Sequence, residues 1–112
     1  MLARRRKYMC PIDVTLSVIG GKWKPLILFQ LKRGPYRFNE LQMLLPGVSH
    51  KVLTQQLKQL EQGGLIAKQS RGQYQTYGLT PFGESLKPAL AALASWGLKH
   101  HGMLGISLDS AN

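Results

Sequence analysis

Apolar residues recur at helical spacing in five stretches of this chain and alternate like strand residues between the fourth and fifth. Gly and Pro punctuate nearly every change. The spacing predicts a first helix from Pro11 to about Ile19, with Ile12, Leu16 and Ile19 on one face and Gly20-Gly21 as its stop. A second begins near Lys22 and ends before Gly34-Pro35. Trp23, Leu26, Ile27 and Leu31 form its stripe, and Pro25 is tolerated in its first turn. Tyr36-Arg37 reads as a short extended link. A short helix follows from Phe38 or Asn39 to Leu45, with Asn39 as its candidate N-cap. After the turn Pro46-Gly47-Val48, Ser49 caps a longer helix to about Gln62, on which Leu53, Leu57 and Leu60 share a face.

Beyond Gly63-Gly64 the period changes. Leu65 to Gln69 and Gln75 to Leu79 read as two strands joined by a polar turn over Ser70-Arg71-Gly72-Gln73. Thr80-Pro81 then pairs a hydroxyl cap with proline at the first helical position. The helix it starts is expected to run over 80–101 with a kink near Lys87 imposed by Pro88. Phe82, Leu86, Leu90, Leu93 and Gly97 mark its apolar stripe, with Trp96 beside it. The tail over 102–112 is expected to be partly ordered.

The chain's 112 residues make one domain, and 44% hydrophobic against 18% charged residues is a globular balance. No apolar run approaches the ~20 residues of a membrane span. The basic start lacks the apolar stretch of a signal peptide, so the expected location is the cytoplasm. Charge changes the picture most. Fifteen Lys and Arg against five Asp and Glu leave a net charge of +10, which calls for a polyanionic partner. A membrane surface is set aside, because the most basic run, Arg4 to Lys7, carries no apolar face.

Two helices joined by a short turn and followed by a hairpin make a helix-turn-helix (38–62) with a wing (65–79), in a mainly α fold with a small β-hairpin. Opposite Leu53, Leu57 and Leu60, the second helix carries His50, Lys51, Thr54, Gln55 and Lys58. These side-chain types reach base edges and phosphates. Ser49 at its N-terminus and Arg37 before the first helix are further candidate contacts, with Arg71 and Gln73 at the wing tip. The expected partner is double-stranded DNA. The competing reading is a basic protein that binds RNA or any nucleic acid, against which stands the lack of an aromatic stacking platform.

The residues themselves resemble the HxlR-type transcriptional regulators, a winged-helix branch close to MarR-type proteins. The resemblance rests on Cys10-Pro11-Ile12, Ile19-Gly20-Gly21-Lys22-Trp23-Lys24 and Arg37-Phe38-Asn39-Glu40-Leu41. It continues through Leu45-Pro46-Gly47-Val48-Ser49, Leu53-Thr54 and Leu57-Lys58-Gln59-Leu60-Glu61. Gly64-Leu65-Ile66 and Leu79-Thr80-Pro81-Phe82-Gly83 complete it, so it spans Cys10 to Gly97. It implies a homodimer joined through the first and last helices, with Phe82, Leu86, Leu90, Leu93 and Trp96 as interface candidates, on a roughly palindromic operator. One stretch departs: Ser70 to Tyr77 is shorter than the family's wing and lacks its proline pair.

In several members of that family a cysteine at the place of Cys10 senses electrophiles, quinones or oxidants, which makes a small effector of that kind a candidate partner. The residues themselves leave the role open. A helix N-terminus and the basic run favour the thiolate, Asp13 opposes it, and a small apolar side chain packed at the dimer interface is the alternative. The basic arm (1–9) likewise has two readings, a DNA-tracking arm or a solvated terminus. As the only cysteine, Cys10 forms no disulfide within its own chain. His100 and His101 point ~100° apart on a helix and do not share a metal. No metal or cofactor is expected. Asp13, Glu40, Glu61, Glu84 and Asp109 sit beside no His or Cys in catalytic spacing, and Gly20-Gly21-Lys22 is no phosphate loop, so no enzyme is expected.

Overall fold

The computed structural model describes residues 7–108, a mainly helical winged-helix fold. Its helices are α1 (Pro11–Ile19), α2 (Trp23–Leu31), α3 (Phe38–Leu44) and α4 (His50–Gln62). The hairpin strands β1 (Ile66–Arg71) and β2 (Tyr74–Leu79) follow, then α5 (Pro81–Glu84) and α6 (Lys87–His100). Of the basic arm, Arg4 to Arg6 lie outside the described residues.

The core collects where α2 meets α3, α4, α6 and the wing. Ile27, Leu28 and Leu31 of α2 pack with Leu41, Leu53, Leu57 and Leu60, all essentially without exposed surface. Leu28 lies off the stripe expected for α2 and is buried, because α3, α4, α6 and the wing cover that helix on several sides. α1 enters the core through buried Ile19 and half-buried Val18. Ile12 and Leu16, which share the predicted face with Ile19, are 68% and 55% exposed.

Three local expectations are corrected. Asn39 does not cap α3. Arg37 takes that place, its N–H donating to Glu40 Oε1 at 2.7 Å, since a carboxylate one turn in reaches back to an unpaired N–H better than the shorter amide. The wing turn is tighter than four residues. Gly72, at φ 61°, closes a two-residue loop with Gln73, so Ser70 and Arg71 stay paired with Gln75 and Tyr74. The helix over 80–101 is broken rather than kinked. Pro88 has no N–H for the carbonyl four residues back, so α5 ends at Glu84 and Pro88 falls in the first turn of α6.

The base of the wing is welded to α5. Thr80 N–H donates to the Leu65 carbonyl at 3.0 Å, and its Oγ1 accepts from Gly83 N–H at 3.0 Å, the expected hydroxyl cap. A Cβ on Gly83 would lie 2.1 Å from the Leu65 oxygen, so only glycine permits this approach. The extended link also pairs: Tyr36 and Tyr77 exchange backbone bonds of 3.0 and 2.8 Å, adding a one-residue bridge to the hairpin. Beyond α6, Ile106 N–H donates to the His101 carbonyl at 3.0 Å, tying the start of the tail to the helix end.

Candidate nucleic-acid interface

The helix-turn-helix angle is set by its turn. Val48 is buried with Leu45, its N–H donates to the Leu45 carbonyl at 3.1 Å, and Gln42 Nε2 donates to the Val48 carbonyl at 3.3 Å. Gly47 supplies the left-handed residue, at φ 92°. Ser49 then caps α4, its Oγ accepting from Val52 N–H at 3.1 Å.

With Leu53, Leu57 and Leu60 committed to the core, α4 turns Lys51, Thr54, Gln55 and Lys58 to solvent. These positions recur every three or four residues and therefore share one face. Thr54 and His50 on this helix already have partners. The Thr54 hydroxyl donates to the His50 carbonyl at 2.8 Å, leaving its methyl and lone pairs outward. The His50 ring packs against Phe38 of α3, with centroids 4.6 Å apart. Arg71 and Gln73 are exposed on the hairpin turn.

Arg37 is held more firmly than its sequence position suggested. Its guanidinium lies 4.5 Å from the centroid of the Tyr74 ring, and its Nη2 is 3.7 Å from Glu40 Oε2. Arg37, Glu40, Arg71, Tyr74 and Thr76 line an open cleft of about 350 Å³ between α3 and the wing. Neither Tyr74 nor Phe38 stood out as a site residue in the sequence. The available signal for Tyr74 was its place directly across the hairpin from Arg71.

This arrangement offers a protruding polar helix face flanked by a basic hairpin. A comparison with known families matches the HxlR-like helix-turn-helix model over residues 18–103. The chain belongs to the HxlR-like helix-turn-helix family. It is a transcriptional regulator of the HxlR and MarR type, and not an enzyme. It is 43% identical over 95 residues to the HTH-type transcriptional regulator YkvN of Bacillus subtilis, covering 82% of this chain and 80% of that one. Among solved structures it is similar to the redox regulator HypR in its reduced form, with 34% identity and a TM-score of 0.80, covering 86% of this chain and 98% of that one. The reduced form of the regulator YodB from B. subtilis is 32% identical with a TM-score of 0.69, over 80% of this chain and 91% of that one.

Cys10 stands at the N-cap of α1, where it is exposed and its carbonyl accepts from Asp13 N–H at 3.0 Å. Asp13 Oδ2 in turn accepts from Met9 N–H at 3.0 Å. Of the expected interface residues, Leu90 is corrected: at 3% exposure it fills the core of its own chain, where α6 crosses α2. Leu86 is half-buried against that core, whereas Phe82, Leu93 and Trp96 are 57%, 59% and 57% exposed. His100 and His101 each place Nδ1 near a backbone carbonyl, of Trp96 at 2.9 Å and of Ile106 at 2.8 Å. No helix among the described residues is long and apolar enough to cross a membrane.

Proposed function

We propose that this regulator acts in the cytoplasm as a homodimer that binds a roughly palindromic operator sequence-specifically. One α4 enters each of two successive major grooves about 34 Å apart. The observation that carries this reading is the division of α4: three leucines are locked in the core while Lys51, Thr54, Gln55 and Lys58 are exposed on the opposite face. Gln55 pairs with base edges, while Lys51, Lys58, Ser49 and Arg37 hold phosphates, and Thr54 and His50 stand at the groove wall. Arg71 and Gln73 reach the flanking backbone or minor groove.

The dimer is supported by what the single chain leaves uncovered. α1 and α6 expose the large apolar side chains Ile12, Leu16, Leu93, Trp96 and Leu98, the kind of surface that a partner subunit covers. The radius of gyration, 15.0 Å, also exceeds the about 13 Å of a compact domain of this length. Cys10 stands at the end of one of these helices. Its oxidation or alkylation would shift the packing of α1 and alter operator affinity, and the likeness to HypR, described as a redox regulator, supports that role.

The test is fluorescence anisotropy with duplex DNA from upstream of the gene against scrambled DNA at matched salt, using reduced and diamide-treated protein. Selective binding that weakens on treatment, and persists in treated Cys10→Ser protein, supports the whole reading. Selective binding indifferent to treatment removes the cysteine switch. Equal affinity for both duplexes overturns the sequence-specific reading in favour of a general nucleic-acid binder.

A further inference from the structure

The cleft between α3 and the wing holds two arginines and only one carboxylate, and that carboxylate is occupied. Glu40 Oε1 accepts the Arg37 N–H at 2.7 Å, which fixes the carboxylate at the start of α3. Its other oxygen is 3.7 Å from the Arg37 guanidinium, a long and solvent-exposed pair that an incoming anion outcompetes. The guanidinium carbon itself lies 4.5 Å from the centroid of the Tyr74 ring, a cation–π contact that holds the side chain over the cleft. Arg71, directly across the hairpin from Tyr74, lines the same cleft.

From this geometry we infer that the cleft seats one backbone phosphate of duplex DNA, and that Tyr74 is the positioning residue that holds Arg37 ready for it. The inference rests on the DNA-binding reading above and names one of its contacts. Two arginines lining an open cleft with a single carboxylate suit a phosphodiester, which accepts paired N–H donors in plane. The seat lies at the N-terminal end of α3, beside the wing, so it registers the wing against the helix-turn-helix. It also explains how a hairpin with a two-residue turn engages the duplex: the contact is made beside the strand ends rather than by reach.

The test is the salt dependence of binding by the full chain to the operator duplex and, separately, to scrambled duplex. Arg37→Ala lowers the log–log slope by about 0.9, the value for one lost phosphate contact. Tyr74→Leu weakens binding about two- to fivefold at low salt, whereas Tyr74→Phe, which keeps the ring, matches the wild type. Both effects are equal on the two duplexes, because phosphate contacts carry no sequence information. The double variant Arg37→Ala/Tyr74→Leu binds no more weakly than Arg37→Ala alone. An unchanged slope in Arg37→Ala overturns the seat, and additive losses in the double variant overturn the positioning role. Failure of operator preference is a separate result, since the slopes on scrambled duplex still read the cleft.

Discussion

The ring of His50 lies 4.6 Å from that of Phe38, inclined at 46°, so the first residue of α4 is braced by the first residue of α3. The two helices of the helix-turn-helix are thereby joined at two points, the buried turn at Val48 and this ring pair, in which Phe38 also packs against the core. An aromatic contact of this kind contributes about 0.5–1.5 kcal/mol. Phe38→Leu keeps an apolar side chain of similar volume and is expected to cost less than about 1.5 kcal/mol in urea unfolding. The His50 ring protons should then move toward their random-coil NMR positions. Unmoved resonances would show that the ring pair does not persist in solution.

Gln55 and Lys58 occupy the same face of α4 but have different expected effects. Gln55→Ala should relax the preference among operator variants by about 1–3 kcal/mol at one base pair. Lys58→Ala should weaken every duplex alike and reduce the salt slope by about 0.9. Binding titrations across a set of single-base operator variants distinguish the two. Parallel loss in both variants would contradict this division of labour.

Gly83 is required by the approach of α5 to the end of the turn before β1. Because a Cβ would meet the Leu65 oxygen at 2.1 Å, and that oxygen is backbone, the strain cannot be relieved by a side-chain rotation. Gly83→Ala should cost about 1–3 kcal/mol in thermal or urea unfolding. Gly97, whose added Cβ meets nothing within 4 Å, is the control, and Gly97→Ala should be neutral or slightly stabilising.

Leu90 and Trp96 lie on the same helix and should separate folding from assembly. Leu90→Ala opens the core and should cost about 2–5 kcal/mol of stability. Trp96→Ala, at an exposed position stacked only on His100, should leave the fold intact and shift the sedimentation profile toward monomer. An unchanged profile would place the dimer contact elsewhere.

The phenol of Tyr77 is raised above its ordinary value of 10.0, first by burial and second by the Glu61 carboxylate. The unfolded chain therefore releases this proton at a lower pH than the folded one. The stabilisation is fully present below about pH 10 and is lost as pH rises through the folded value. Urea midpoints measured from pH 8 upward should fall less steeply above pH 10 in Tyr77→Phe than in the wild type. Identical slopes would mean that Tyr77 titrates alike in both states.

Much of this molecule was legible from local signals. The leucines of α4 are four and three residues apart, Ser49 and Thr80 carry cap hydroxyls, and Gly63-Gly64 follows the last periodic residue. Each of these signals acts within one or two turns of its own chain, so the residues involved determine the outcome unaided. The same holds for the polar face of α4, which is simply the remainder once its leucines are assigned to the core. Net charge, being a sum over residues, also needed no fold.

What the tertiary structure decided was which apolar surfaces are spent and which polar groups meet. Leu90 and Leu93 belong to one periodic stripe, yet only Leu90 is buried, because α2 crosses α6 there and covers one turn more than the next. Ile12 and Leu16 share that periodicity in sequence, but no element among the described residues covers them. Arg37 and Tyr74 are 37 positions apart, and no periodicity links them. Their contact exists because the Tyr36–Tyr77 bridge lays the start of α3 against β2. Helix and strand patterns report what a residue's neighbours along the chain demand, whereas burial and side-chain pairing depend on which elements cross, and crossing is settled only when the core closes.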